Sequence, residues 1–175
     1  KTVIVVKDSI MSYTRSFSLC IEKWTEAISC CKSIVWTCKM NPSIFEGIAE
    51  CAMSTKKSVE TAFKAAKNLE ESIFKCHREC QEAEAVISSM KSPKNTSRDP
   101  KEAIDAIKAV SKAVDDVVSN IKKSIKETVD AEKEVENLLA VISEKGSPPF
   151  FEGLVNRMTR NISEASKVQM ACDFL

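Results

Sequence analysis

Glycine is almost missing from this chain, with three in 175 residues, and proline is scarce, with five. A sheet protein needs frequent turns, and these two residues build most of them, so an all-β fold is excluded and the few breakers mark helix ends. Histidine occurs once. Enzymes usually place an acid or base of tuned pKa beside a nucleophile or a metal, and His77 on a charged stretch is thin material for that. Gly47, Gly146 and Gly153 are isolated and build no phosphate-cradling loop. Net charge is missing too: 26 basic residues face 25 acidic ones. Such a balance gives no basic field of the kind that recruits nucleic acid or anionic membranes. No apolar run approaches the ~20 residues of a membrane span. The mature protein is therefore expected to be soluble, and since the chain opens at Lys1 without a charged segment followed by an apolar one, any signal peptide is expected to have been removed or not included.

Cysteine is present in quantity, eight residues in all. No C-x2-C pair occurs. Cys20, Cys30, Cys31, Cys38, Cys51, Cys76 and Cys80 crowd the first half and Cys172 stands alone near the end. A zinc module gathers its ligands locally, whereas a late solitary cysteine suits a disulfide that pins a terminal segment. The expectation is a secreted, extracellular protein with all eight cysteines bridged. Two sequons agree with it, at Asn95 and Asn161, while Asn41-Pro42-Ser43 is disqualified by its proline.

What is abundant is a seven-residue rhythm. Val3, Ile10, Phe17, Trp24, Cys31 and Cys38 form one row, with Val6, Tyr13, Cys20, Ala27 and Ile34 beside them, which predicts an amphipathic helix over 2–40. Ser43-Ile44-Phe45-Glu46 reads as a capping box that opens a second helix over 43–92. Phe45, Ala52, Val59, Ala66, Ile73, Cys80 and Ile87 line it, and the polar "MSTKKS" at 53–58 is where it is expected to bend. Asp99-Pro100 caps a third helix over 99–145, whose apolar face includes Ile104, Ile107, Val110, Val114, Ile121, Val135 and Ile142. Gly146 stops it, and Phe151, Leu154, Met158, Ala165, Val168 and Cys172 mark a fourth over 149–174. Short connections make successive helices antiparallel neighbours. The expected fold is all-α, a single disulfide-stapled bundle of four helices over 1–175, with the long second-and-third hairpin projecting as a two-helix arm.

Folding about residues 41 and 42 sets Cys31 level with Cys51, with Cys30 as the competing partner. Cys172 falls between Cys20 on the first helix and Cys76 or Cys80 on the second. The pairing itself is not readable, since eight cysteines allow 105 connectivities. In "KCHREC", Cys76, His77 and Cys80 suggest a metal site, but on a helix His77 points about 100° away from Cys76, so the three do not converge. No metal and no cofactor is expected. Asp115-Asp116 and Glu70-Glu71 have lysines three or four residues away and read as solvated helix faces rather than as acid–base pairs.

The functional expectation is a non-enzymatic monomer that binds a protein partner, since rigid helices offer an extended surface at little ordering cost. Lys91, Lys94, Arg98 and Lys101 around the 91–99 loop are the candidate contacts. The alternative is carriage of a small hydrophobic ligand in the bundle core, lined by Phe45, Phe63, Phe150, Phe151, Trp24 and Trp36. No nucleic acid and no membrane span is expected. Cys51 followed by Cys76 and Cys80 in a C-x3-C resembles the start of the cysteine pattern of insect odorant-binding proteins, which then place three more cysteines soon after where this chain has only Cys172. In general type the chain resembles the small disulfide-bonded, all-helical proteins that arthropods secrete in saliva or venom. That resemblance implies an effector acting on a host immune or haemostatic factor or its receptor, and it carries no functional residues with it.

Overall fold

The computed structural model describes residues 2–91 and 99–171. Four helices account for nearly all of them: α1 (Thr2–Met40), α2 (Pro42–Met90), α3 (Pro100–Lys145) and α4 (Pro149–Ala171). The breakers act as their chemistry requires. Asp99 accepts a hydrogen bond from the Lys101 amide at 2.9 Å, and Pro100 occupies the first helical turn of α3. Gly146 takes φ 67°, ψ 47° and returns its amide to the Ile142 carbonyl, a left-handed closure that other residues resist.

The start of α2 departs from the expected capping box. The helix opens at Pro42, and its N-cap is Asn41, whose side chain makes no cap to α2. The Asn41 amide instead donates back to the Thr37 carbonyl at 3.3 Å, closing α1, while the Asn41 carbonyl accepts from the Ile44 and Phe45 amides. The break in helical geometry falls at Phe45 (φ −117°, ψ 21°), not at 53–58. Thr55 explains why that polar stretch stays helical: it is fully buried, and its hydroxyl lies 2.8 Å from the Cys51 carbonyl and 3.2 Å from that of Glu134 on α3. A polar residue with carbonyls in reach on its own helix and on its neighbour need not distort the backbone.

In cross-section the helices stand in ring order, each of α1–α2, α2–α3, α3–α4 and α4–α1 packing side by side, with α2 and α4 across one diagonal. The core runs the length of the bundle. Ile10, Phe17, Trp24, Ile34, Leu69, Ile73, Leu138, Phe151 and Met158 are all fully buried, and the described members of the predicted stripes face inward apart from Ile104 and Ile107 of α3. Register is read from cross-helix contacts. Lys7 pairs with Glu84 at 2.6 Å, Lys23 with Glu164 at 3.2 Å, and Cys31 Sγ meets Met158 Sδ at 3.0 Å.

This register corrects two expectations. Cys31 lies not level with Cys51 but beside Lys56 and Glu60, whose charges it feels, because the turn through Pro42–Phe45 delays the straight part of α2. The projecting end is also not a two-helix arm, since α1 follows α2 back as far as the Lys7–Glu84 pair. It is the described part of α4 that falls short. At 1.5 Å per residue α4 is about 35 Å long and α2 about 74 Å. In the last described turn of α4 Gln169 meets Ser124 and Thr128 of α3, and Ala165, six residues before the last described one, lies against Cys20 on α1. Beyond that level α1, α2 and α3 continue, and no described residue stands in the fourth place.

Candidate binding groove

Removing one helix from a four-helix ring leaves a trough, with the two neighbours of the missing helix as walls and its diagonal partner as floor. Such a trough is present among the described residues past the level of Ala171. It has a volume of about 640 Å³ and is lined by Ile4 and Val6 of α1, by Glu84, Ile87, Ser88 and Lys91 of α2, and by Ile107, Val110, Ser111, Val114 and Asp115 of α3. Its size falls within the range of ligand-binding clefts.

The lining is mainly aliphatic because the apolar stripes of α1 and α3 continue past the helix that would cover them. Ile107 and Ile104 were expected to sit on the buried face of α3, yet they are 47% and 53% exposed, and Ile4 on the opposite wall is 51% exposed. Val110, only 5% exposed, marks where the stripe sinks into the core. The ionic groups are few and separated. Glu84 is engaged by Lys7, whose pKa is raised by that hydrogen bond and by the carboxylate charge. Asp115 sits toward the end of α4 and Lys91 at the far end of α2, so the trough carries an acidic group at one end and a basic group at the other.

Of the basic residues singled out in the sequence, Lys91 lines the trough and Lys101 is exposed at the start of α3. Lys94, Arg98 and the sequon at Asn95 lie outside the described residues, as does Cys172. The second sequon meets a steric obstacle. Asn161 is 5% exposed and its Nδ2, the atom that would carry a sugar, is buried without a hydrogen-bond partner, so the folded chain has no room for a glycan there. Of the aromatics named for a core cavity, Trp24 and Phe151 are fully buried, Phe45 is 8% exposed, Phe63 is half-buried, Trp36 and Phe150 face solvent, and none of them lines the trough.

The cysteines do not form the expected staples among the described residues. Cys30, Cys31, Cys38, Cys51, Cys76 and Cys80 are thiols, and no two described cysteines are bridged. Cys20 Sγ lies 3.6 Å from the Ala165 carbonyl. The physical reason is their placement in the inward stripes, where each fills a helix–helix seam as a small apolar side chain. Burial, followed by the neighbouring Cys30 and Glu60, pushes the Cys31 thiol up to about 12, and burial with Cys80 beside it does the same to Cys76. Burial also raises Cys30, Cys38, Cys51 and Cys80. Thiols held in the protonated form are poor nucleophiles and poor metal ligands.

"KCHREC" resolves accordingly. Cys76 and Cys80 stack on the buried face of α2, while His77 stands on a half-exposed flank with its Nδ1 buried and unpartnered. Among the described residues no group of three or more His, Cys, Asp or Glu side chains converges as a metal site. No described helix is long and apolar enough to cross a membrane. No protein-family model, no curated protein and no solved structure matches the chain.

The groove was the feature least visible in sequence. Its signal was present in the lengths: the apolar stripe of α3 starts at Ile104, some 20 residues before the level that a helix as short as α4 reaches.

Proposed function

We propose that this chain is a secreted, non-enzymatic protein that acts by binding another protein, and that the trough beyond α4 is its recognition surface. The observation that carries the reading is the half-exposed aliphatic wall pair, Ile4 and Ile107, on rigid helices with no covering element among the described residues. Contiguous exposed apolar surface of this kind marks interaction sites, and helices that need no ordering lose little entropy on association. The secreted setting rests on the Asn95 sequon and on the resemblance to secreted helical proteins, and not on bridging, since the described cysteines are unbridged. The resemblance to arthropod salivary and venom proteins supplies the class of partner, a host immune or haemostatic factor or its receptor.

The aliphatic lining also favours a second reading, carriage of a small hydrophobic ligand in the same trough rather than in the core. Native mass spectrometry of protein made in a eukaryotic host separates the two. A bare chain supports the protein-binding reading, and a lipid-mass adduct that leaves on denaturation replaces it with the carrier reading. Thiol alkylation before and after reduction tests the setting: eight free thiols in protein from its native source would remove secretion from the proposal.

A further inference from the structure

We infer that the exposed face of residues 29–40 on α1 docks the protein on an anionic lipid bilayer surface, with Trp36 and Met40 entering the headgroup boundary and Lys32 and Lys39 meeting lipid phosphates. This site is independent of the trough and lies toward the opposite pole of the bundle.

The first observation is an apolar cluster at a pole where all of residues 27–50 and 140–160 are described. Trp36 is 64% exposed, Met40 61% and Phe150 51%. Trp36 and Met40 stand one helical turn apart, with Ser29, Lys32 and Ser33 on the same exposed face. Counted from the Cys31–Met158 contact along antiparallel helices, Phe150 is level with Lys39, and its ring meets that of Phe151 at 4.7 Å. Residues 92–98 join α2 to α3 at the other pole. Residues 172–175 follow an α4 that runs about 35 Å away from Phe150, and four residues span at most about 14 Å. The exposure of Trp36 therefore does not depend on either segment.

The second observation is shape and polarity. Trp36 and Met40 project from the side of α1 away from the buried Cys31, Ile34 and Cys38. A protein partner would have to supply a matching hollow, whereas a fluid bilayer yields to a protruding side chain. Tryptophan suits that boundary, with apolar rings for the acyl side and an N–H for the headgroups. The hydroxyls beside it are already used within the helix: Ser33 donates to the Ser29 carbonyl at 3.1 Å and Thr37 to the Ser33 carbonyl at 2.9 Å. Leaving water therefore strips few unmatched donors from this face.

The third observation is charge. From Ala27 to Phe45 the chain carries Lys32 and Lys39 and no acid. They stand four residues before and three after Trp36, so both flank it on the helix surface. Neither forms an ion pair among the described residues. Arg157 of α4 adds a cation near enough for Cys30 to feel its charge. Of the neighbouring acids, Glu26 is 4.0 Å from Lys23, and Glu152 is turned about 160° from Phe150 on α4. Glu144 belongs to α3, across the diagonal from α1, and Glu46 lies past the turn on α2. The balanced charge of the whole chain thus conceals one face that is basic and aromatic, the combination that holds peripheral proteins on anionic lipid.

The test uses the full chain with vesicles of phosphatidylcholine alone and with about 30% phosphatidylserine added. The two tryptophans divide the signal, because Trp24 is 0% exposed and Trp36 is free to enter lipid. On the anionic vesicles emission should shift to the blue and be quenched by lipids brominated on the acyl chain. Trp36→Phe should abolish both changes while the protein still floats with the vesicles. Trp36→Ala with Met40→Ala should lower vesicle affinity at least tenfold, and Phe150→Ala, from another helix, about threefold. Lys32→Gln with Lys39→Gln should lower affinity for the anionic vesicles at least tenfold and leave the weaker phosphatidylcholine binding as it was. All these sites are exposed, so each variant should melt within about 2 °C of the parent. No flotation with anionic vesicles, or flotation that the Trp36→Ala, Met40→Ala pair leaves unchanged, overturns the inference. Equal affinity for the two kinds of vesicle overturns the role of the lysines. A dimer in sedimentation that the same pair dissolves, without vesicle binding, assigns the face to a second copy instead. None of these variants touches the lining of the trough, so the protein-binding reading stands or falls separately.

Discussion

Gln169 locks the end of α4 onto α3, and replacing it shows how far polar chemistry sets where the trough begins. Gln169 is 1% exposed, its Nε2 donates to the Ser124 hydroxyl, and its Oε1 lies 3.2 Å from the Thr128 hydroxyl. Ser124 and Thr128 are themselves buried, at 0% and 2% exposure. Gln169→Leu keeps the volume and removes both bonds. Thr128 retains the Ser124 carbonyl at 2.8 Å, so the main loss is the partner of the Ser124 hydroxyl. An orphaned buried polar group costs about 1–3 kcal/mol, so a destabilisation of about 2 kcal/mol is expected. For a chain of this size that lowers Tm by about 4–8 °C. The triple variant Ser124→Ala, Thr128→Val, Gln169→Leu removes every member of the cluster and should return to within about 1 kcal/mol of the parent, because replacing both partners by apolar groups of similar shape is nearly neutral. Thermal melts and urea titrations followed by circular dichroism measure both. A single variant as stable as the parent, or a triple variant no better than the single, would refute the reasoning.

Alkaline stability should fall with buried thiols intact. Cys31 and Cys76 ionise near 12 in the folded chain and near their ordinary 9.0 when unfolded, so their contribution is complete below pH 9 and is lost as pH rises toward 12. Between pH 8.5 and 10 the two together should remove about 2 kcal/mol in urea titrations under reductant, and the slope should flatten in a Cys31→Ala, Cys76→Ala variant. Leu138→Ala, at a fully buried site, should cost about 2–5 kcal/mol, whereas Ile107→Asp should change stability by about 0.5 kcal/mol or less, as differential scanning calorimetry would show. Asn161→Leu should be neutral or mildly stabilising, since it removes a buried amide nitrogen that has no partner, and peptide mapping of protein from a glycosylating host should find Asn161 unmodified.

Helix boundaries were legible because four of the few breakers stand at helix ends, Pro42, Pro100, Gly146 and Pro149 each within one residue of an observed terminus, while Gly47 and Gly153 are carried inside α2 and α4. The inward stripes were legible for the same reason that they pack, since Ile10, Phe17, Trp24, Cys31 and Cys38 recur on one face and are all buried. Cross-helix register was not. It depends on how many residues the α1–α2 turn consumes, and the break at Phe45 carries no residue signature that distinguishes it from the capping box that Ser43 and Glu46 imitate. The cysteines misled for a related reason: spacing along the chain reports which face a thiol occupies, while bridging requires two thiols to meet across a seam. The trough stayed hidden because every helix looks equally amphipathic by itself, and only the shared axis of the bundle reveals that the described part of α4 stops short of the ends of its neighbours.

The level at which the described part of α4 stops also divides the described residues energetically along the bundle axis. At one end each helix is flanked by two packed neighbours, and at the other α1 and α3 each lose one, so the free energy needed to open backbone hydrogen bonds should decline toward Lys7, Glu84 and Ile107. Amide hydrogen exchange would then read as a gradient, slowest around Leu138 and Met158 and fastest near the free end. A partner seated in the trough would flatten that gradient, so protection gained by α1 far from any contact would report occupancy.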